Sequence, residues 1–187
     1  MVEIHLVSVG LVDPSILQWL KLTLGEILRM RCVISDLIID PVDTYHAGRQ
    51  QYHSTQILER LAALNTGSQK KILGVATVDL FIPILTFVFG EAEVGRRAVI
   101  FSLHRLRQSF YGLPEDSRLF YERCEKEAIH ELGHTFGLIH CHKFDCVMHF
   151  SNSIEQVDLK SNLFCEECSE SLEAGGALGA ISDKQTP

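Results

Sequence analysis

The sequence predicts a single α/β domain, and three observations support this. Apolar strand-like segments alternate with helical segments over the first two thirds of the chain, a pattern typical of helix-crossed parallel strands. The last two strand-like segments flank a short turn and predict a hairpin. The 187 residues, 46% of them hydrophobic, are enough for one substantial core. We expect a mixed, mostly parallel, twisted sheet of about five strands with an antiparallel edge strand, and three main helices.

The N-terminal residues predict a strand, a helix and a second strand. Residues 2–9 are an apolar run typical of a buried strand. Residues 14–30 predict a helix, because Asp13 suits the N-cap and Pro14 is favoured at the first helical position. Residues 32–38 predict the second strand.

The middle of the chain begins with a loop that carries Tyr45, His46 and His53. A helix is expected over residues 54–64, and it should end near residues 65–67, where Asn and Gly favour a break. This helix would connect the second strand to the third.

Three further strands are predicted over residues 71–79, 85–91 and 98–103. Residues 93–95 favour a turn, so the fourth and fifth strands should form the hairpin that supplies the antiparallel edge. Although residues 72–90 are strongly apolar, Asp79 and Pro83 interrupt them, which argues against a transmembrane helix.

The longest predicted helix begins near residues 115–117 and runs to Gly137. Apolar residues recur every four positions and should pack on the sheet: Phe120, Cys124, Ala128, Leu132 and Phe136. A second stripe, formed by Lys126, His130 and His134, should face a cleft.

The segment from His130 to His140 reads His-Glu-Leu-Gly-His-Thr-Phe-Gly-Leu-Ile-His and predicts a catalytic zinc site. His130 and His134 are four residues apart on a helix, so both reach one metal, and Glu131 is placed to act as a general base. Gly137 can adopt a left-handed conformation that ends the helix and returns His140 as the third ligand. Three protein ligands leave a fourth position open for water.

Two points about this motif remain open from the residues alone. The alternative to a zinc site is a pair of helical histidines that only pack against other side chains or face solvent. Gly133 is unfavourable inside a helix, and we expect the close approach of another backbone to explain it.

Four cysteines in two closely spaced pairs follow directly: Cys141, Cys146, Cys165 and Cys168. Their spacing favours a tetrathiolate zinc site with a structural role. Two disulfides, an iron–sulfur cluster and a redox pair at Cys165 and Cys168 are the alternatives, and His142 could replace one thiol. Cys32 and Cys124 are expected to be buried thiols.

The histidine motif followed by Met148 resembles the metzincins, and the four added cysteines resemble the archaemetzincin branch. The resemblance implies a zincin-like α+β domain in which the three histidines bind catalytic zinc and Glu131 is the base. It also implies that Met148 forms a turn beneath the metal and that the cysteines bind a second zinc. The domain would span residues 1–187, with 1–137 ending at the active-site helix and 138–187 carrying the third histidine, the methionine turn and the cysteine site.

Stabilisation of the tetrahedral intermediate is open. Some metzincins have a tyrosine two residues after the turn methionine, and here that residue is Phe150. His149 could substitute, but a pocket-lining or solvated histidine is the simpler interpretation. Four other histidines have no partner motif and are expected to be surface or core residues: His5, His46, His53 and His104.

Composition and the N-terminal residues indicate which binding partners and which cellular compartment to expect. The net charge of -7 argues against nucleic acid, and no secretory signal or pro-peptide is apparent, so we expect a cytoplasmic monomer. The predicted function is hydrolysis of extended peptides, bound along the edge strand near residues 87–89, with two zinc ions per chain. The alternative is a catalytically silent binding module that retains the metal motif.

Overall fold

A computed structural model describes residues 2–64 and 70–175. Its strands are β1 (Glu3–Val9), β2 (Arg31–Ile39), β3 (Tyr45–His46), β4 (Gln51–His53), β5 (Lys70–Ala76), β6 (Leu80–Phe81), β7 (Gly90–Ala92) and β8 (Ala98–Ser102). Its α-helices are α1 (Pro14–Ile27), α2 (Ser54–Ala63), α3 (Ser117–Thr135), α4 (Ile154–Leu159) and α5 (Glu166–Ala174). The predicted end of the second helix at residues 65–67 lies outside the described residues.

The main sheet has the order β2-β1-β5-β8-β7 among the described residues. The first four of these strands are parallel to their neighbours, and β7 pairs antiparallel with β8 at the edge. Helices α1 and α3 cover one face of this sheet, and α2 packs against the other. The predicted mixed α/β fold with an antiparallel edge strand is confirmed.

The first helix begins as predicted and ends earlier. The Asp13 carboxylate accepts a hydrogen bond from the backbone N–H of Ser15 at 2.8 Å, which caps the first turn. Helix α1 ends at Ile27 rather than at residue 30, because Arg29 has a positive φ of 51° and leaves the helical conformation.

The predicted strand over residues 85–91 is wrong in extent, because only Gly90–Ala92 forms a regular strand there. The Arg49 guanidinium donates hydrogen bonds to the carbonyl oxygens of Leu85 and Thr86, and the side-chain amide of Gln51 also donates to Thr86. Side chains thus satisfy two carbonyls at the start of this stretch, and Val88 forms only an isolated antiparallel bridge with Leu80, so no continuous strand extends over residues 85–91.

A small second sheet, with the order β3-β4-β6 in the described chain, was not predicted. Strand β4 pairs with β3 antiparallel and with β6 parallel. The third strand, predicted over residues 71–79, ends at Ala76, and the chain then continues to Leu80–Phe81, which belongs to this second sheet. Strands of two or three residues are too short to show an alternating pattern in the sequence.

Helix α3 crosses the core beneath the edge of the main sheet. It begins at Ser117, and the Asp116 carboxylate caps it by accepting a hydrogen bond from the N–H of Leu119 at 3.0 Å. The predicted apolar stripe is buried from Phe120 to Leu132, while Phe136 is only partly buried. Helix α3 is therefore packed against the core along most of its length.

Helix α4 is fastened to α3 by side chains of α3. Arg123 forms a bidentate ion pair with Asp158, with both N–O distances 2.7 Å. The Lys126 ammonium donates hydrogen bonds to the carbonyl oxygens of Val157 and Asp158. Lys126 thus caps α4 and does not line the cleft, which corrects the stripe predicted from the sequence.

Cys32 and Cys124 are buried thiols, as predicted. Burial raises the pKa of Cys32 to about 11 and also raises that of Cys124. In residues 2–64 and 70–175, no helix is both long and apolar enough to span a bilayer.

Candidate active site

Three histidines converge at the C-terminal end of α3. One ring nitrogen from each of His130, His134 and His140 lies within 4.8 Å of the others. The Nε2 atoms of His130 and His134 are 3.3 Å apart. Two nitrogens bound to one tetrahedral zinc at 2.0–2.1 Å would be separated by about 3.3 Å, so the spacing fits a shared zinc ion.

The protonation pattern of the first two rings also fits a cation between them. The Nδ1 of His130 is 2.8 Å from the carbonyl oxygen of Val147, and the Nδ1 of His134 is 2.7 Å from that of Leu138. Because a carbonyl oxygen only accepts, both Nδ1 atoms donate, and each Nε2 of the neutral ring presents a lone pair. Two facing lone pairs cannot hydrogen-bond to each other, but they can bind one metal ion.

Burial lowers the pKa of all three histidines, and that of His130 most strongly. The Lys160 ammonium and the neighbouring histidines lower the pKa of His130 further. The neutral imidazole is the form that binds a metal. The three rings are therefore in the neutral form that can bind a cation.

The turn after α3 is a Schellman motif centred on Gly137. Its φ is +93°, as predicted for a residue that ends the helix. The N–H of Leu138 donates to the carbonyl of Gly133, and the N–H of Gly137 donates to that of His134. This turn brings His140 back to the cluster and also places the Leu138 carbonyl against the His134 ring.

Glu131 is buried beside the cluster, and Gly90 makes room for it. Burial raises the pKa of the Glu131 carboxyl well above its ordinary value, and the negative charge of Glu127 raises it further. A Cβ at Gly90 would overlap the Glu131 carboxylate and the carbonyl oxygen of Ile100. The edge strand and the expected general base are therefore packed against each other.

The reason for Gly133 differs from the prediction. A Cβ at this position would overlap the Sδ of Met148 and approach the ring of Phe164 at 3.3 Å. The close neighbour is thus a buried methionine side chain and not another backbone. Gly133 lets Met148 lie directly against the active-site helix.

The four thiols of Cys141, Cys146, Cys165 and Cys168 form a second cluster within 4.8 Å. The Sγ atoms of Cys141 and Cys165 are 3.7 Å apart, and those of Cys146 and Cys168 are 3.8 Å apart. The edge of a zinc tetrathiolate tetrahedron is about 3.8 Å, whereas a disulfide bond is about 2.05 Å. The geometry favours a metal site over two disulfides.

Two hydrogen bonds connect Cys141 to residues 148 and 149, which follow the second cysteine of the thiol cluster. The N–H of Cys141 donates to the carbonyl oxygen of Met148 at 2.9 Å, and the ring of His149 is 3.0 Å from the carbonyl oxygen of Cys141. His149 is thus engaged at the cysteine loop. His142 is exposed and does not belong to the thiol cluster, so it does not replace a thiol.

A cavity of about 250 Å³ opens over the histidine cluster. Aromatic and aliphatic residues before β7 form one wall, and the segment after Met148 forms another. The ring of Phe150 is 45% exposed and lies 5.1 Å from that of His140, so it occupies the position where some metzincins have a tyrosine without offering a hydroxyl.

Sequence analysis missed an ion pair in this cavity. The Nζ of Lys160 lies 2.8 Å from the Oε1 of Glu127, and both side chains are buried. Glu127 precedes Glu131 by one helical turn, which is a signal in the sequence. Lys160 follows Glu127 by 33 residues and lies outside the motif, so only the tertiary fold reveals the pair.

The fold and the histidine site define the class of protein as a zinc metallopeptidase. The profile of peptidase family M54 matches residues 25–174. The chain is 46% identical to the archaemetzincin of Methanocaldococcus jannaschii over 174 residues, which cover 92% of this chain and 94% of the relative. It therefore belongs to peptidase family M54, together with the archaemetzincins.

Two solved structures resemble the whole fold. A zinc-dependent peptidase from Methanocorpusculum labreanum is 30% identical with a TM-score of 0.81, covering 90% of this chain and 99% of that one. The archaemetzincin of Archaeoglobus fulgidus, solved as a complex with malonate, is 36% identical with a TM-score of 0.79, again over 90% and 99% of the two chains. The comparisons give no support to a catalytically silent module.

Proposed function

We propose that His130, His134 and His140 bind the catalytic zinc of this peptidase and that Glu131 is its general base. The convergence of three neutral imidazoles on one point carries this proposal. Zinc, when bound in such an open site, acts as a Lewis acid and lowers the pKa of water.

Glu131 handles the proton in this mechanism. Its carboxylate accepts a proton from the attacking water and then delivers it to the nitrogen of the leaving amine. Gly90 and the buried helix hold the carboxylate in place, which removes the need to order it during the reaction.

The peptide substrate is proposed to bind in an extended conformation along the free edge of β7. Within residues 2–64 and 70–175, strand β7 pairs with β8 on one side and has no strand on the other. A peptide added to the other side would form backbone hydrogen bonds and pass Glu131 and the histidine cluster, which line the same cavity as Gly90 and Glu91. The sequence analysis expected the peptide to pair with residues 87–89. Because the regular edge strand is Gly90–Ala92, we propose that the peptide pairs with that strand instead.

The four cysteines are proposed to bind a second, structural zinc, giving two ions per chain. Their spacing supports this, and so do the N–H groups of Lys143 and Cys165, which donate to the Sγ atoms of Cys141 and Cys146. Thiolates accept such hydrogen bonds well. In this proposal residues 1–137 build the helix and sheet part, and residues 138–187 form the part held by the second zinc.

The remaining parts of the proposal concern assembly and location. We propose a monomer that does not bind nucleic acid, on the basis of its net charge of -7. The thiol cluster is suited to a reducing compartment, which supports the cytoplasm.

Glu131→Gln tests the central proposal. The amide keeps the size of the side chain but cannot accept the proton, so we expect peptide hydrolysis to fall by at least about 10³-fold. Zinc content, measured by elemental analysis, should stay at the wild-type value. Retained hydrolysis would refute Glu131 as the base. Loss of zinc from the variant would refute the proposal that Glu131 is not a zinc ligand.

A further inference from the structure

Lys160 and Glu127, which form a buried ion pair, both line the cavity over the histidine cluster. Lys160 directly follows α4, which Arg123 and Lys126 bind to α3. Its side chain is 1% exposed, and Lys160 is one of the residues that line the cavity. The active-site helix therefore holds the helix that delivers this cation to the site.

The donors of Lys160 exceed its partners. An ammonium has three N–H donors, and the one contact found for it among the described residues is the ion pair with the Oε1 of Glu127. That oxygen is itself buried and lacks a hydrogen bond of suitable geometry from any described residue. Burying a polar group without a hydrogen bond is costly. The cavity is thus lined by a cation with spare donors.

Ser151 supplies a second, independent observation. Its Oγ is buried and has no hydrogen-bond partner within the described part of the chain. The residue lines the same cavity as Lys160. An unpartnered hydroxyl and an incompletely satisfied ammonium both call for an acceptor that arrives from outside.

We propose that Lys160 and Ser151 form a subsite that binds a carboxylate of the peptide substrate. A carboxylate offers two acceptor oxygens and a negative charge, so it can take hydrogen bonds from both groups, and the bond from the ammonium is charge-assisted. Glu127 balances the charge of Lys160 before the substrate enters. This inference rests on the proposed function, because it assumes that peptides occupy the cavity.

The carboxylate has two possible sources in a peptide: an acidic side chain near the scissile bond, or the C-terminal carboxylate. Four matched substrates distinguish them with the zinc-loaded enzyme. One pair carries Asp or Asn at each position flanking the cleaved bond, and the other pair ends in a free carboxylate or an amide. We expect the carboxylate member of one pair to have a kcat/KM about 10- to 100-fold higher than its amide partner.

Two variants assign this preference to Lys160. Glu127→Gln retains the cation, and the preference should persist. Lys160→Met combined with Glu127→Gln removes the cation without leaving a buried carboxylate unpaired, and the ratio should fall below about 2-fold. Lys126→Met is the matched control, since this lysine also holds α4 but lies outside the cavity, and the ratio should not change.

A second measurement covers the case in which the double variant does not fold. Ser151→Ala removes one donor at a partly buried position, and the ratio should fall about 3- to 10-fold. Binding of the same peptides to zinc-loaded Glu131→Gln, measured by calorimetry, should show the same preference as a ratio of dissociation constants.

Several results would overturn the subsite. These are wild-type hydrolysis with no carboxylate preference, a preference that survives loss of Lys160, or an equal loss of activity on all four peptides, which would indicate a role in the reaction and not in recognition. Failure of the wild type to cleave any peptide would instead contradict the proposed function, and the calorimetric ratio would then still decide whether the carboxylate is bound.

Discussion

The histidine cluster and the cysteine cluster are adjacent in the chain, because His140 is followed by Cys141, yet they are built differently. Two of the three histidines lie on α3, whose apolar stripe is buried in the core. The four thiols come from the loop after His140 and from the start of α5. Packing along one helix positions two residues of the first cluster, while the second joins two separate segments, whose Cys146 and Cys168 are buried and whose Cys141 and Cys165 are partly buried.

This difference separates two roles for a metal ion. The carbonyls of Val147 and Leu138 orient the rings of His130 and His134, so the fold itself places the proposed zinc ligands. In the proposal, a zinc ion bound by the four cysteines links the loop after His140 to the start of α5, as structural zinc sites do. The Val147 carbonyl belongs to the loop between Cys146 and Met148, so the second site also supports the first.

Stepwise removal of zinc should have the largest effect and should separate the two sites. With increasing chelator, we expect peptide hydrolysis to disappear while the circular dichroism spectrum stays unchanged, because three imidazoles hold zinc less tightly than four thiolates. The spectrum should change only when the second equivalent leaves. Zinc content measured in parallel should fall from two to one at the first step, and simultaneous loss of both signals would contradict the distinction.

Cys146→Ser should disrupt the cysteine site and then the histidine site. The variant should lose the second zinc, and its melting temperature should fall by about 10 °C or more, since the loss of a structural metal costs several kcal/mol. Affinity for the catalytic zinc should also weaken, because the loop that orients His130 loses order. Cys32→Ala is the control: this thiol is buried elsewhere and should leave both zinc ions in place. Unchanged catalytic zinc affinity in Cys146→Ser would refute the coupling of the two sites.

Gly90→Ala should affect catalysis and leave both metal sites intact. The added methyl group would overlap the Glu131 carboxylate and the Ile100 carbonyl, so either the base or the edge strand must move. Displacing a catalytic group by about 1 Å costs on the order of 10²-fold in activity. We expect kcat to fall by about that factor with two zinc ions retained. Gly25→Ala is a control for the glycine substitution itself: this glycine lies in α1, its φ is not positive and the nearest atom to an added Cβ is at 3.4 Å, so kcat should stay near wild type.

The sequence predicted the parts of the molecule that local spacing determines. The histidine motif, the Gly137 turn and the cap at Asp13 depend on residues within one or two helical turns. The strand over residues 85–91 failed because the side chains of Arg49 and Gln51, remote in sequence, satisfy its carbonyls. Contacts that join separate segments are not visible in periodicity.

The same limit applies within the site. Glu127 was within reach of sequence reasoning, because it lies four residues before Glu131 on one helix face. Lys160 lines the cavity only because α4 is attached to α3, and nothing near it in the chain indicates chemistry. Ser151 follows Met148 by three residues, but a lone serine there carries no signal of its own. The explanation expected for Gly133 was likewise wrong, since a helix reveals an unfavourable glycine but not the side chain that requires it.

Gly133→Ala should have the smallest effect, and it tests the contact that joins the two regions. Alanine gains about 1 kcal/mol in helix propensity, but its Cβ would overlap the Sδ of Met148, and overpacking of this kind costs about 1–3 kcal/mol. We expect a net loss of about 0–2 kcal/mol in the free energy of unfolding, measured by denaturant titration of the zinc-loaded protein. Met148→Leu alone keeps the core volume approximately constant and should cost less than about 1.5 kcal/mol. If the methionine is the reason for the glycine, adding Met148→Ala to Gly133→Ala should be less destabilising than the sum of the single changes, since the methyl group then fills space that the methionine leaves. Strict additivity would show that Gly133 is required by something other than Met148.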